Sequence, residues 1–120
     1  MHLWCGVITK KVRESRDFYV RLFGAEVLFD EDWCVVLRLG DSELGFMLPD
    51  LPQQAVPFRG AYPGQGLWLT LDVADVDAEH TRIMALDVPI AVSLRDEDWG
   101  DRHFSVLDPN GIGVDVVTRR

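Results

Sequence analysis

The stretch SRDFYVRLFG, residues 15–24, determines the fold predicted for the first half of the chain. Gly24 follows a run of apolar residues and marks a helix end, because glycine adopts the left-handed conformation without steric cost. The pattern therefore predicts a helix over residues 12–23. The apolar residues that recur at the spacing of one helical face are Phe18, Tyr19, Leu22 and Phe23. The strands predicted around this helix lie at 3–9, 25–29, 33–39 and 43–48.

The same order of elements recurs in the second half of the chain. Asp75-Val76-Asp77 is typical of a helix start and predicts a helix from there to Leu86. Asp108-Pro109-Asn110-Gly111 is a turn sequence between two strand-like runs. The strands predicted in this half lie at 67–73, 90–94, 103–107 and 112–118. The chain therefore predicts an α+β fold of two βαβββ modules, residues 1–48 and 67–120, within one domain spanning 1–120.

The two predicted modules are joined by a segment with a different composition, residues 49–66. This segment holds four of the six prolines of the chain and three glycines. Proline removes a backbone hydrogen-bond donor and blocks regular structure. We therefore predict that residues 49–66 form a connecting arm without a fold element of its own.

Composition and charge exclude several classes of function. The chain has 120 residues, is 48% hydrophobic and 27% charged, and carries a net charge of −8. An acidic chain is repelled by phosphate, so neither nucleic acid nor an anionic membrane surface is an expected partner. Lys10 and Lys11 follow the apolar N-terminal run instead of preceding it, which is the wrong polarity for a signal peptide, and a cytoplasmic protein is expected. Cys5 and Cys34 show no CxxC spacing and are expected to be free thiols.

Three segments resemble one known family. Residues 15–24 are similar to the first-helix pattern of the vicinal oxygen chelate superfamily, and residues 72–78 to its mid-chain step from strand to helix. Residues 99–104, with the turn at 108–111, are similar to its last hairpin. That superfamily contains glyoxalase I, bleomycin-resistance proteins, fosfomycin-resistance enzymes and extradiol dioxygenases. The resemblance implies two cupped mixed sheets with flanking helices that close around a cavity, usually in a homodimer.

The resemblance also implies four positions for the ligands of a divalent metal. In this chain they are held by Trp4, Gly45, Trp68 and Asp115. Tryptophan offers only an N–H donor and glycine has no side chain, so Asp115 alone cannot fill a site that needs three or four ligands. We therefore expect no metal and no other cofactor. One alternative remains open, in which a metal moves down the strand to His2 and Asp115.

The residues at these positions suggest stacking in place of chelation. Trp4 and Trp68 occupy equivalent places, and by the resemblance both look into the cavity. Two indoles suit a flat, partly apolar ligand, and a cationic ligand would add cation–π attraction. Asp115 would accept a hydrogen bond or meet a ligand amine. The expected ligand-binding residues are Trp4, Phe46, Trp68, Thr70, Trp99, His103 and Asp115, and no catalytic residue is expected.

Other interpretations of these residues remain open. Tryptophan on a strand is often simply core, and Trp33 and Trp99 fit a rim as well as a core. The carboxylates of Glu97 and Asp98 are expected to be solvated in a turn. The first functional hypothesis is a metal-free protein that binds a small planar or cationic molecule, such as an antibiotic. The alternatives are a metal-dependent lyase, isomerase or dioxygenase, an enzyme acting through His103 or Asp115, and a module whose tryptophans fill its own cavity.

Overall fold

The computed structural model describes residues 1–120 and contains two mixed four-stranded sheets, each packed against one helix. The predicted α+β fold of two βαβββ modules is confirmed. The first module consists of β1 (Cys5–Ile8), α1 (Val12–Phe23), β2 (Glu26–Glu31), β3 (Cys34–Leu39) and β4 (Ser42–Met47). The second consists of β5 (Trp68–Asp72), α2 (Val76–Met84), β6 (Val92–Asp96), β7 (Asp101–Leu107) and β8 (Gly113–Arg119).

Both sheets have the same topology. The strand order is β1-β4-β3-β2 in the first and β5-β8-β7-β6 in the second. In each sheet the first strand of the module runs parallel to the last, and the other neighbours are antiparallel. Positions in the two sheets can therefore be compared by register.

The chain divides into two compact units, Met1–Pro63 and Gly64–Arg120. Residues 49–63 of the connecting arm thus belong to the first unit. Within this arm, Val56–Phe58 forms a short 3-10 turn, which the composition of the segment does not predict. No helix of the protein is long and apolar enough to span a bilayer.

The first sheet buries one face against α1. Tyr19 and Leu22 of α1 are fully buried, and the ring of Tyr19 stacks on Phe46 of β4 with 5.5 Å between the centroids. Gly24 takes a φ of 65° and its N–H bonds the carbonyl of Val20, so α1 ends where the sequence predicts. The other face of this sheet is left for the strand residues of opposite parity.

The second sheet repeats this arrangement with α2. Val76 and Ile83 of the helix are buried, as is Phe104 of β7. Asp75 caps the helix by accepting a hydrogen bond from the N–H of Ala78 at 3.1 Å. The helix ends two residues before the predicted Leu86, because the chain turns there and Asp87 takes a φ of 58°.

Candidate binding hollow in the first unit

The open face of the first sheet contains a hollow of about 310 Å³. Its wall has no charged residue. The residues that line it are Trp4, Gly6, Val7, Ile8, Cys34, Gly45, Phe46, Met47 and Phe58. Of the seven predicted ligand-binding residues, only Trp4 and Phe46 line this hollow.

Two glycines make room for this hollow. Gly6 of β1 lies directly beside Gly45 of β4 in the parallel ladder, so two neighbouring positions of the open face have no side chain. The indole of Trp4 covers the second of them. A Cβ added at Gly45 would lie 3.0 Å from Cζ3 of Trp4, which is too close for an unshifted ring. The indole is 52% exposed, so one side of it remains open to a ligand.

Phe46 lies at the wall but offers no accessible ring. Its side chain is fully buried, and its ring stacks on Tyr19 on the helix side of the sheet. Strand alternation explains this, because Gly45 and Phe46 are neighbours and point to opposite faces. Phe46 therefore supports the hollow from behind, and the expectation that it contacts a ligand is not supported by where its ring lies.

The structure adds Phe58, which sequence reasoning missed. This ring comes from the 3-10 turn of the connecting arm, borders the hollow and is 60% exposed. The sequence offers one weak signal, an apolar Val-Pro-Phe run inside an otherwise irregular segment. No periodicity indicates where such a segment crosses a sheet.

The wall also contains the thiol of Cys34. Cys34 of β3 and Met47 of β4 are direct cross-strand partners, so both sulfur side chains lie on this side. Burial raises the pKa of the Cys34 thiol, which keeps it protonated and neutral at pH 7. The hollow is thus apolar, aromatic and soft, without a fixed charge.

The second unit carries the other predicted ligand-binding residues on a polar face. Thr70 of β5 lies beside Asp115 of β8. Trp68 is 72% exposed, and its Nε1–H donates to Oγ1 of Thr70 at 3.1 Å. Asp115 is already engaged: its Oδ1 accepts from the hydroxyl of Ser105 at 2.8 Å and lies 2.7 Å from Nδ1 of His103. Both contacts use Oδ1 and fix the orientation of the carboxylate.

His103 stands between two carboxylates. Nε2 of its ring lies 3.2 Å from Oε2 of Glu97, so the expectation that Glu97 is solvated in a turn is wrong. Burial of the ring lowers the pKa of His103, but the hydrogen bonds and charges of Asp115 and Glu97 outweigh burial and raise it. Trp99 meets the His103 ring edge-on with 6.3 Å between centroids and is 69% exposed, so it lies at a rim.

The family comparison agrees with this architecture. The sequence profile of the Glyoxalase/Bleomycin resistance protein/Dioxygenase superfamily matches residues 3–116. The chain belongs to this superfamily. The resemblance inferred from residues 15–24, 72–78, 99–104 and 108–111 is therefore confirmed. No curated protein sequence matches the chain significantly.

Solved structures of the superfamily share the fold over nearly the whole chain. TioX from Micromonospora sp. ML1 is 21% identical, with a TM-score of 0.81 over 100% of this chain and 99% of that one. Lactoylglutathione lyase from Agrobacterium tumefaciens is 22% identical, with a TM-score of 0.77 over 97% and 92%. A bleomycin-binding protein complexed with bleomycin is 16% identical, with a TM-score of 0.70 over 100% and 99%. At these identities the likeness shows a common fold.

The divalent metal of many superfamily members does not fit the residues of this chain. Among residues 1–120, no group of three or more His, Cys, Asp or Glu side chains is arranged to hold a metal ion. Trp4 covers Gly45 in the first unit, and Asp115 is held by Ser105 and His103 in the second. His2, the alternative ligand, has its Nε2 3.0 Å from Glu43.

Proposed function

We propose that this chain binds a small organic molecule through a flat apolar group, held in the hollow of the first unit without a metal. One observation carries the proposal: an uncharged hollow of about 310 Å³ whose floor is two side-chain-free positions and whose cover is the exposed indole of Trp4. A flat group that slides against Trp4 gains dispersion and loses contact with water. No step of bond making or breaking is part of this function.

The planar part of the sequence hypothesis receives more support than the cationic part. Asp115, the residue expected to meet a ligand amine, already bonds Ser105 and His103. The wall of the hollow offers no carboxylate. Bleomycin is a sensible first antibiotic to test, because one protein of the same fold is described in complex with it. Action as a homodimer in the cytoplasm stays a prediction, and light scattering on the purified protein tests the dimer.

Calorimetric titration tests the proposal with two probes, metal-free bleomycin and acridine, a flat aromatic molecule that is neutral at pH 7.5. Acridine should bind the wild-type protein, and Trp4→Leu should weaken it about tenfold because the stacking surface is lost. Trp33→Leu is the matched control, since Trp33 is in the same unit but outside the hollow. Equal acridine affinity in Trp4→Leu and the wild type would contradict the proposal, and so would no binding of either probe.

Metal analysis of the purified protein separates binding from a metal-dependent reaction. We expect no divalent ion at a stoichiometric level, and no effect of a chelator on acridine affinity. A transition ion that stays bound through dialysis would favour the alternative of a metal-dependent lyase, isomerase or dioxygenase.

A further inference from the structure

We infer that residues 49–63 of the connecting arm supply a second aromatic surface of the hollow, Phe58, held in place by Gln54, so that the site selects flat, uncharged aromatic groups. The inference rests on the proposed function and adds to it a ligand class, a contact residue and a positioning residue. None of these follows from the strand positions that the superfamily resemblance implies.

Phe58 has the features of a ligand contact. It is a large apolar ring, 60% exposed, at the edge of a hollow that also holds Trp4. Its ring meets no other aromatic side chain in the protein within stacking distance. Exposing an apolar ring to water is unfavourable in free energy, and a flat ligand that covers the ring would remove this cost. Val56 of the same turn is also exposed but does not border the hollow.

Gln54 fixes the path of this turn. Its side chain is 7% exposed and uses both ends of the amide: Oε1 accepts from the N–H of Leu51 at 2.7 Å, and Nε2 donates to the carbonyl of Leu48 at 2.8 Å. Its own carbonyl accepts from Nε of Arg59 at 2.7 Å, directly after Phe58. A buried amide that is hydrogen-bonded at both ends fixes the backbone around it, because breaking either bond leaves a buried polar atom without a partner.

Backbone hydrogen bonds hold the segment on both sides of Phe58. The N–H of Asp50 donates to the carbonyl of Arg59 at 3.1 Å, which closes the loop that contains the turn. The N–H of Tyr62 donates to the carbonyl of Ile8 at 2.8 Å, and Ile8 itself lines the hollow. The ring of Phe58 is therefore carried by a loop whose position is fixed by hydrogen bonds.

The absence of charge in the wall sets the ligand class. A cation entering the hollow would lose hydration and find no carboxylate there, while the Cys34 thiol stays neutral. The net charge of −8 attracts cations to the surface in general, so physiological salt is needed to suppress that effect. The wall thus favours a neutral aromatic group over a charged one of the same shape.

The ligand class is tested by calorimetry with three probes at neutral pH and physiological salt. They are acridine, its cationic analogue 9-aminoacridine, and the globular neutral molecule 1-adamantanol. We expect acridine to bind about tenfold more tightly than either of the others. Equal or tighter binding of 9-aminoacridine or 1-adamantanol would overturn the stated selectivity.

The contact residue is tested with Phe58→Ala and the matched control Val56→Ala from the same turn. Phe58→Ala should weaken acridine about tenfold and leave 1-adamantanol nearly unchanged, while Val56→Ala should leave both unchanged. Wild-type affinity in Phe58→Ala, with affinity lost in Trp4→Leu, would overturn this inference and leave the proposed function standing. Failure of the wild-type protein to bind acridine would overturn this inference, and failure to bind both acridine and metal-free bleomycin would overturn the proposed function as well.

The positioning role of Gln54 is tested by a double-mutant cycle. Gln54→Met keeps the volume and removes both side-chain hydrogen bonds, so it should weaken acridine about threefold to tenfold by releasing Phe58. If Gln54 acts through Phe58, adding Gln54→Met to Phe58→Ala costs little more affinity. Additive losses would overturn the positioning role. Where Gln54→Met does not fold by urea titration, Gln54→Glu, which keeps the acceptor and loses the donor, replaces it in the cycle.

Discussion

The two sheets share topology, and one equivalent pair of positions on their open faces shows how they differ. In the first sheet Gly6 lies beside Gly45, and in the second Thr70 lies beside Asp115. The glycine pair leaves a hollow under an indole, whereas Asp115 of the Thr–Asp pair accepts a hydrogen bond from Ser105 and lies within hydrogen-bond distance of His103. The same strand topology thus carries an apolar hollow in one unit and a set of hydrogen-bonded polar side chains in the other.

This difference shows that side-chain volume at one register position decides what an open sheet face can do. Where side chains are absent, the wall is apolar and a ligand can replace water. Where polar side chains meet, they satisfy one another and leave less for a ligand. We therefore expect substitutions on the first open face to change ligand affinity, and substitutions on the second to change the free energy of unfolding.

The largest effect is expected for Gly45→Val. The added Cβ would lie 3.0 Å from Cζ3 of Trp4, so the indole must move and the new methyl groups occupy the hollow. Acridine affinity should fall about a hundredfold in calorimetry, a loss of about 2.7 kcal/mol. Gly113→Val is the control, because a Cβ at Gly113 meets nothing within 4 Å. If Gly45→Val keeps wild-type affinity, the hollow is not the binding site.

The second prediction concerns Asp115→Ala. Removing the carboxylate leaves the Ser105 hydroxyl and Nδ1 of His103 without their shared partner, which should cost about 1 to 3 kcal/mol in urea unfolding. Asp72→Ala, which removes an exposed pair with Arg119 on the same sheet, should cost less than about 1 kcal/mol. Acridine affinity should stay unchanged in both variants. Lost acridine affinity in Asp115→Ala would place binding on the second face.

The helices and strands can be predicted from the sequence where the apolar residues recur at a regular spacing. The bounds of α1 are found as predicted, because its apolar face and its terminal glycine agree. Strand ends differ by one or two residues, as in β6, which begins at Val92 where the prediction begins at residue 90. A strand ends where pairing stops, and a bulge between Val92 and Arg95 shifts that pairing without a signal in the sequence.

The candidate site is less predictable than the fold, because it depends on pairing between distant segments. The family resemblance implies Gly45 and the sequence analysis adds its neighbour Phe46 as a ligand contact, but strand alternation puts the Phe46 ring on the opposite face, against Tyr19. Phe58 reaches the hollow along an irregular loop, and Glu97 reaches His103 from across a hairpin. The chemistry of these side chains can be predicted from residue type, but their contacts depend on the tertiary structure.

A third prediction compares how the two helices begin. Asp75 caps α2 by its hydrogen bond with the N–H of Ala78, whereas Lys11 at the start of α1 makes no side-chain cap. Asp75→Ala should therefore lower the free energy of unfolding by about 1 kcal/mol, and Asp75→Asn by only a few tenths. Lys11→Ala, at the corresponding place in the first unit, should change it by less than about 0.5 kcal/mol. Equal losses in Asp75→Ala and Asp75→Asn would show that charge, not the cap, matters.

The smallest effect is expected from pH, through His103. Burial lowers the pKa of this ring and its two carboxylate neighbours raise it, so the net upward shift is what remains of opposing effects. A folded-state pKa above the usual value of about 6.5 means that the folded protein holds a proton that the unfolded chain releases. The stabilisation is present in full below about pH 6.5 and is lost as the pH rises through the folded-state pKa.

Urea titrations between about pH 6 and pH 9 measure this loss, and His103→Gln should flatten the dependence. Ser105→Ala is the matched control: it removes another partner of Asp115 but leaves the imidazole, so the dependence should remain. Calorimetric titrations with acridine between about pH 7 and pH 8, where the ligand is neutral, should show unchanged affinity, because the wall of the hollow carries no charged side chain and burial raises the pKa of the Cys34 thiol. A pH-dependent acridine affinity that His103→Gln removes would mean that the polar face takes part in binding, and the division of roles between the two sheets would be wrong.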